Sequence, residues 1–356
     1  MKKLLLLCLT VGTVLTVAAQ RRHWERHGKT GEPTVYIISV KESDTIWSNN
    51  PALAQQNLMQ QRSAAAKAAV DDHRQATRPG VQQVDEPNVV FANHKNSFSF
   101  AIGGYVALRT GYSFDDAVDS RDMVPFDVPM ESSFANRQAI SMDATTSRLY
   151  MRAIANPKWL RKPVVIFFDA DFRGGAKGSY TPRLRSGYAQ VAGFTFGRDV
   201  TTFCDLTAAP TTIDFQGPNA YNFNFATMIR YELAFLNNHM KFGVAAEMPN
   251  VSGTYGQTFM AVPQRVPDFP VYLQVMWGKH RQSHFRASAV FRNMYLYNDA
   301  RKTTTDLFGW GVQASGNIHI TKMIQLFMNG VYGQGITPYI QDLTGAGLDF
   351  TPNPQD

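Results

Sequence analysis

From Tyr221 to Leu233 (YNFNFATMIRYEL) the chain alternates with a period of two. Phe223, Phe225, Thr227, Ile229, Tyr231 and Leu233 share one parity, and Asn222, Asn224, Ala226, Met228, Arg230 and Glu232 share the other. Successive side chains of an extended strand point to opposite faces, so one face of this segment suits an apolar medium and the other suits water. The run is long for a strand of a soluble sheet, where about 5 to 6 residues is usual. It matches a tilted bilayer crossing, which needs about 9 to 11 residues.

The pattern recurs from Phe98 onward. Phe242, Val244 and Ala246 alternate with Lys241, Gly243, Ala245 and Glu247; Arg109 falls opposite Phe100, Ile102, Val106 and Leu108; Arg148 and Arg152 fall opposite Leu149 and Met151; Asp169, Asp171 and Arg173 fall opposite Ile166, Phe168 and Phe172. Further candidates run near Arg185 to Phe194, Thr195 to Phe203, Val271 to Trp277, Phe285 to Tyr297, Phe308 to Ile318 and Ile324 to Tyr332, which makes about eleven strands. Around Gly187 the phase is ambiguous and no facing is assigned.

The links between these segments alternate in length. Long or medium ones (Tyr112 to Thr146, Gly174 to Arg183, Asp205 to Ala220, Pro249 to Pro270, Asn298 to Asp306) exchange with short ones (Asn156 to Lys162, near Gly193, Asn237 to His239, Gly278 to Ser283, His319 to Met323). Outer-membrane barrels combine short periplasmic turns with longer external loops, and a soluble sandwich has no reason to keep that order. Aromatics near strand ends (Trp159, Trp277, Tyr295, Tyr297, Trp310) fit interfacial girdles as a group. The fold class expected is therefore all-β, an antiparallel transmembrane β-barrel over residues 97–356.

The first residues, MKKLLLLCLTVGTVLTVAAQ, combine Lys2 and Lys3, an apolar core from Leu4 to Val17, and small residues at Ala18 and Ala19. That is the layout of a secretory signal over residues 1–19, and no later run of about 20 apolar residues suggests a helical span. Cys8 as a lipoprotein cysteine is disfavoured by Leu7 before it. Cleavage leaves Cys204 alone, so no intramolecular disulfide is expected in an oxidising compartment. Residues 20–96 read as a polar periplasmic extension with an apolar stretch at Val35 to Val40 and a helix within Ala52 to Arg78. Leu53, Met59, Ala66 and Val70 give that helix only a thin apolar stripe. It is a linker or a short coiled coil.

A soluble chain of 356 residues would divide into two or three domains. The 12% aromatic content and the 26 glycines and 18 prolines fit a barrel better, because only every second strand residue meets lipid. The formal net charge of +7 suits nucleic acid, a membrane surface or anionic solutes. The arginines are spread singly along the strand segments, which excludes the basic face a nucleic-acid partner needs. An arginine facing the bilayer midplane costs about 2 to 4 kcal/mol, so Arg109, Arg148, Arg152 and Arg230 are assigned to the lumen together with Asp169, Asp171, Arg173 and Glu232. Rings of guanidinium groups favour anions; alternatively these arginines pair with Asp169, Asp171 or Glu232 and simply hold the wall.

No Gly-x-Ser-x-Gly, phosphate loop or metal-binding Cys pattern is present, and no cofactor or metal is expected. His280 and His284 are four apart but are placed in a turn between strands. A Ser/His hydrolase on a barrel would need partners that neither His284 nor His319 is predicted to have. A structural or adhesive barrel without transport remains the alternative to a pore.

The segment TTFCDLTAAPTTIDFQGPNA, with RSGYAQVAGFTFGRD before it, MVPFDVPM (Met123 to Met130) and GVYGQGITPYIQDL (Gly330 to Leu343), resembles the DcaP-like family of trimeric outer-membrane porins. The resemblance spans roughly Phe98 to Phe350 and is strongest at Thr202-Phe203-Cys204-Asp205, Thr212-Ile213-Asp214-Phe215 and Gly217-Pro218. It implies a homotrimer in outer-membrane lipid, uptake of small organic anions such as dicarboxylates, and a loop folded into the barrel. Asp205, Thr212, Asp214, Phe215, Gly217 and Pro218 would then lie at or near a constriction. A complete family member has about sixteen strands and usually an aromatic last residue, whereas this sequence stops at TPNPQD after about eleven. Because an open barrel edge in lipid strands unpaired backbone groups, the chain is expected to be a fragment lacking its C-terminal strands.

Overall fold

The computed structural model describes residues 36–39, 46–47, 56–78, 80, 83, 87–93, 97–115, 122, 124, 128–131, 137–160, 162–176, 178–212, 215–321 and 323–352. The signal sequence, Ile213, Asp214 and part of Met123 to Met130 lie outside the described residues.

The elements in chain order are β1 (Tyr36–Ser39), β2 (Ile46–Trp47), α1 (Gln56–Gln75), β3 (Val89–Ala92), β4 (Phe98–Tyr105), β5 (Arg109–Ser113), β6 (Ala139–Asp143), β7 (Arg148–Ala155), β8 (Val164–Asp171), β9 (Arg183–Val191), β10 (Phe194–Val200), β11 (Phe225–Phe235), β12 (Met240–Glu247), β13 (Phe259–Ala261), β14 (Phe269–Trp277), β15 (Ser283–Asn298), β16 (Thr303–His319) and β17 (Gln325–Gln334). One antiparallel sheet runs β17-β16-β15-β14-β12-β11-β10-β9-β8-β7-β4-β3-β1-β2, with β13 paired to the end of β15. The β5–β6 ribbon resumes the β4–β7 hairpin: pairing stops at Tyr105 with Arg148 and restarts at Arg109 with Asp143. Each of the eleven expected segments contains a strand, and β3 with the β1–β2 pair continues the sheet ahead of Phe98. Among the described residues no pairing joins β17 to β2, so the sheet is open there.

Turn chemistry follows the sequence. β9 and β10 are joined by Ala192 (φ 53°) and Gly193 (φ 93°), a two-residue hairpin with positive φ at both positions. Leu236, Asn237 and Asn238 all take positive φ between β11 and β12. The link expected from Asn298 to Asp306 is a correction: β15 and β16 extend through it, Thr303 pairs with Asn298, and the connection closes in four residues, 299–302. The Asn298 side chain accepts from the Arg301 amide at 2.9 Å, which fixes that turn.

The two faces of the sheet differ as alternation requires. One carries Leu149, Ile166, Phe168, Phe194, Phe196, Ile229, Leu233, Leu273, Val275, Phe285, Phe291 and Val312, with Ile166 57% and Ile229 54% exposed. A soluble monomer rarely leaves so continuous an apolar band uncovered, and a transmembrane barrel does so by design. Among the described residues no helix is long and apolar enough to cross a membrane. The other face holds Tyr150, Phe167 and Tyr188 in one cluster and most of the buried charge. Two tyrosines there lie over glycines directly across the strand pair, Tyr150 over Gly103 and Tyr272 over Gly243; a Cβ at either glycine would sit 2.2 Å from the ring.

The ambiguous phase near Gly187 has a structural cause. Asp169 pairs with Ser186 but Ala170 pairs with Leu184, so the register slips and both Arg185 and Ser186 turn inward. An extra residue on one strand of a pair is a β-bulge, and it breaks a strict period of two.

Candidate functional site

The link after β10, described at residues 201–212 and 215–224, folds into the concave side of the sheet. It starts on β10 and lands on the inner faces of β15, β16 and β17, four to six places along the sheet order. Glu247 at the end of β12 holds its first turn, accepting from the Thr201 hydroxyl at 2.6 Å and the Thr202 amide at 2.7 Å. Phe203 is fully buried against Val290, Ile336 and Tyr339, and its carbonyl accepts from Asn222 Nδ2 at 3.1 Å. Arg286 of β15 donates to the Thr202 carbonyl.

Asp205 is the far anchor. Its carboxylate accepts from Ser315 Oγ of β16 at 2.7 Å and from Thr207 Oγ1 at 2.6 Å, and lies 2.8 Å from His284 Nε2 of β15. His284 thus sits on a strand and not in the turn where it was expected. Burial alone would raise the Asp205 carboxyl, yet the hydrogen bond to His284 and the charge of Arg286 hold it well below the ordinary carboxylate range. The Thr207 hydroxyl also lies 3.2 Å from His284 Nε2, so two hydroxyls and the imidazole converge on one carboxylate and tie the link to β15 and β16.

The segment after β17 packs on the same link. Phe223 N donates to Tyr339 O at 2.8 Å, Gln341 N to Tyr221 O at 3.0 Å, and Asp342 accepts from Gln216 and the Ala220 amide. Two of the four stretches that carry the family resemblance, 201–220 and 330–343, therefore pack together through their described residues.

Between this unit and the wall lies a cavity of about 240 Å³, lined by Asp122, Arg173, Arg183, Arg185, Phe215, Gln216, Phe223, Asn224, Phe225, Gln341 and Thr344. Among the described residues its charged lining is three arginines and one aspartate. Phe215, from the inward link, has the guanidinium carbons of Arg173, Arg185 and Arg109 at 4.9, 5.5 and 5.8 Å from its ring centre. Phe225 has Arg185 at 5.1 Å and Arg198 at 5.5 Å. Guanidinium groups stack well on aromatic faces, so the rings position the arginines without consuming their donors. Asp171 receives Arg183 Nε at 2.9 Å and Arg185 Nη1 at 3.1 Å, and Arg173 pairs with Asp122.

Phe223 and Phe225 correct an expectation. They were placed with the lipid-facing parity, but they meet edge to face at 5.1 Å and pack with the inward link. The chain is irregular from 221 to 224, so alternation on β11 holds only from Ala226 onward.

The other sequence-assigned residues fall as follows. Arg148 makes a buried two-pronged pair with Asp169, Nε to Oδ1 at 2.9 Å and Nη2 to Oδ2 at 2.5 Å. Arg230 donates to Asp199 at 2.7 Å and lies 3.3 Å from Glu232. Arg152 is buried beneath α1. Thr212 is half-buried, Gly217 adopts φ 88°, which favours glycine, and Pro218 borders the link near Tyr221. Arg183 and Arg185 were missed because the bulge and the phase ambiguity hid their facing, and Arg198 because it shares the parity of Phe194 and Phe196. Arg292, buried between Asp268 (3.0 Å) and Asp349 (3.4 Å), was also missed.

No family model matches the chain, and no curated protein sequence matches it. Among solved structures an anion-selective porin from Comamonas acidovorans aligns over 66% of this chain and 78% of that chain, at 12% identity and a TM-score of 0.28, an overlap too slight to establish a shared fold. The outer membrane channel DcaP of Acinetobacter baumannii aligns over 69% of this chain and 67% of that chain, at 18% identity and a TM-score of 0.58. Over that span the chain has the fold of the DcaP channel, an all-β antiparallel porin fold.

Proposed function

We propose that this chain is a DcaP-like outer-membrane channel through which small anionic solutes, carboxylates in particular, diffuse passively. The cavity whose described lining sets Arg173, Arg183 and Arg185 against Asp122 carries this reading. Guanidinium stays protonated throughout the physiological range and binds carboxylate through a planar fork. A ring of such groups lowers the barrier to anions and raises it to cations. The apolar outer band supplies the lipid contact, and the family resemblance favours three copies working side by side. The chemistry performed is selection and passage, with no bond made or broken.

The arginines that select are then Arg173 and Arg183, partly accessible from the cavity, whereas Arg148 and Arg230 hold the wall through their acid partners. Reversal potentials across a planar bilayer under a potassium chloride gradient test this. The parent should prefer chloride, and Arg173→Gln with Arg183→Gln should move the potential toward potassium, most strongly where the Debye length is about 10 Å or more. A parent that prefers potassium, or substitutions without effect, refutes the anion reading. A parent that carries no current refutes the channel.

A further inference from the structure

Residues 56–78 pack against the inner face of the sheet. Ala66, Ala69 and Val70 of α1 are buried against Val90, Ala92 and Ala101 of β3 and β4. These wall residues belong to the inner face, since Ala101 pairs with Arg152 and the apolar band has the opposite parity. The end of α1 is fastened to that face. His73 Nε2 lies 3.1 Å from Ser99 Oγ, Arg152 Nη1 donates to the His73 carbonyl at 2.7 Å and to Thr77 Oγ1 at 2.9 Å, and Asn156 Nδ2 donates to Asp72 at 3.0 Å.

From there the chain travels along the lumen. The Arg78 guanidinium lies 5.0 Å from the centre of the Tyr188 ring on β9, pairs with Asp199 on β10, and reaches to 3.8 Å from Glu232 on β11. Gly80 then abuts the inward link: it adopts φ +130°, and a Cβ there would stand 2.8 Å from the Leu206 Cβ. The segment therefore runs from the β3–β7 wall past β9, β10 and β11 to the constricting link itself.

We propose that residues 72–78, with Gly80, form a second constriction element, a crossbar inside the lumen, and that Arg78 is a specificity-determining residue of the channel. The proposal rests on the channel reading above. Asp199 and Glu232 are two carboxylates on the lumenal face, and Arg230 reaches both. With Arg78 in place the four groups sum to zero, with Lys241 of β12 also acting on Glu232. Without it the same patch loses one positive charge beside the inward link and pulls less on anions. Arg78 is thus a counter-ion delivered by the N-terminal segment to cover acids that would otherwise oppose anion passage. Glycine at position 80 lets the crossbar lie flush against Leu206.

The test uses the full chain carrying Arg78→Cys in a Cys204→Ser background, folded in bilayers. A polyethylene-glycol maleimide too bulky to enter a barrel should leave the introduced thiol unmodified, while small methanethiosulfonates react. The anion preference should fall by roughly twofold at low salt in the unmodified variant. A cationic adduct should restore it, an anionic adduct should lower it further, and Arg78→Lys should keep the parent value. Bulky reagent reacting as fast as with the unfolded chain overturns the crossbar. Equal reversal potentials for the cationic and anionic adducts overturn the role of Arg78. A parent without current refutes the channel reading and with it the selectivity role, an outcome separate from the labelling result, which decides the crossbar on its own.

Discussion

Asp205→Ala should unseat the inward link while leaving the sheet intact. The carboxylate accepts from two hydroxyls, Ser315 at 2.7 Å and Thr207 at 2.6 Å, from the Thr207 amide at 3.2 Å, and meets His284 at 2.8 Å. A hydrogen bond to a charged acceptor contributes about 1.5 to 3 kcal/mol, and donors left buried without a partner add a desolvation cost. Counting only the two hydroxyls at the low end gives about 3 kcal/mol, or on the order of a hundredfold in the opening equilibrium. The native Cys204 reports that opening directly: it is 5% exposed, and burial pushes its thiol up, so it reacts only when the link lifts. Its rate of modification by a small thiol reagent should rise about a hundredfold in the variant, in proportion to the opening equilibrium. Protease resistance of the sheet, whose strand pairings are untouched, serves as the control. A labelling rate within about threefold of the parent, far below the change expected from the lost hydrogen bonds, would show that Asp205 does not hold the link.

Three further outcomes are expected. Burial, with the charge of Arg152 adding to it, pushes His73 down to about 4 from 6.5, so the unfolded chain binds a proton in this window that the folded chain does not. Stability is full above pH 6.5 and is lost as pH falls toward 4, by about 3 kcal/mol in total, and amide exchange of residues 66–75, corrected for intrinsic rates, should quicken between about pH 7 and pH 4.5; equal protection at both would count against a buried neutral His73. Spin labels from Ala226 to Leu233 should alternate between lipid and water accessibility, and a helical period would contradict the strand. Arg292→Ala leaves Asp268 and Asp349 buried without their cation, at a cost of about 3 to 5 kcal/mol; limited proteolysis should then cut within 248–268 or 335–352 while the strands persist, and an unchanged digest would show that the pair contributes nothing.

The fold was legible because a lipid-facing strand writes its period into the sequence. Thr227, Ile229 and Leu233 are exposed while Ala226, Met228 and Arg230 are buried, as their parity requires. The pattern failed where backbone pairing departs from regularity: at the bulge beside Ser186, and at Phe223 and Phe225, whose apolar character suits an inward-packed loop as well as lipid. Site residues were less legible, since charge on the polar parity does not distinguish an arginine facing a cavity from one bound to an acid. Arg148 and Arg183 look alike in sequence, yet one is sealed against Asp169 and the other borders the cavity. Nothing local marks Arg78, whose partner Asp199 is 121 residues away.

The sequence distances of the lumenal contacts constrain the order in which the protein can be built. Asp205 meets Ser315 across 110 residues and His284 across 79, and Thr207 receives Asn317 across 110. Closing such long spans costs entropy before any contact rewards it. Until β15 and β16 have joined the sheet, Asp205 has neither strand partner and the link has no inner wall to rest on. The inward link is therefore seated late, and strands placed far along the chain fix the position of a segment made long before them.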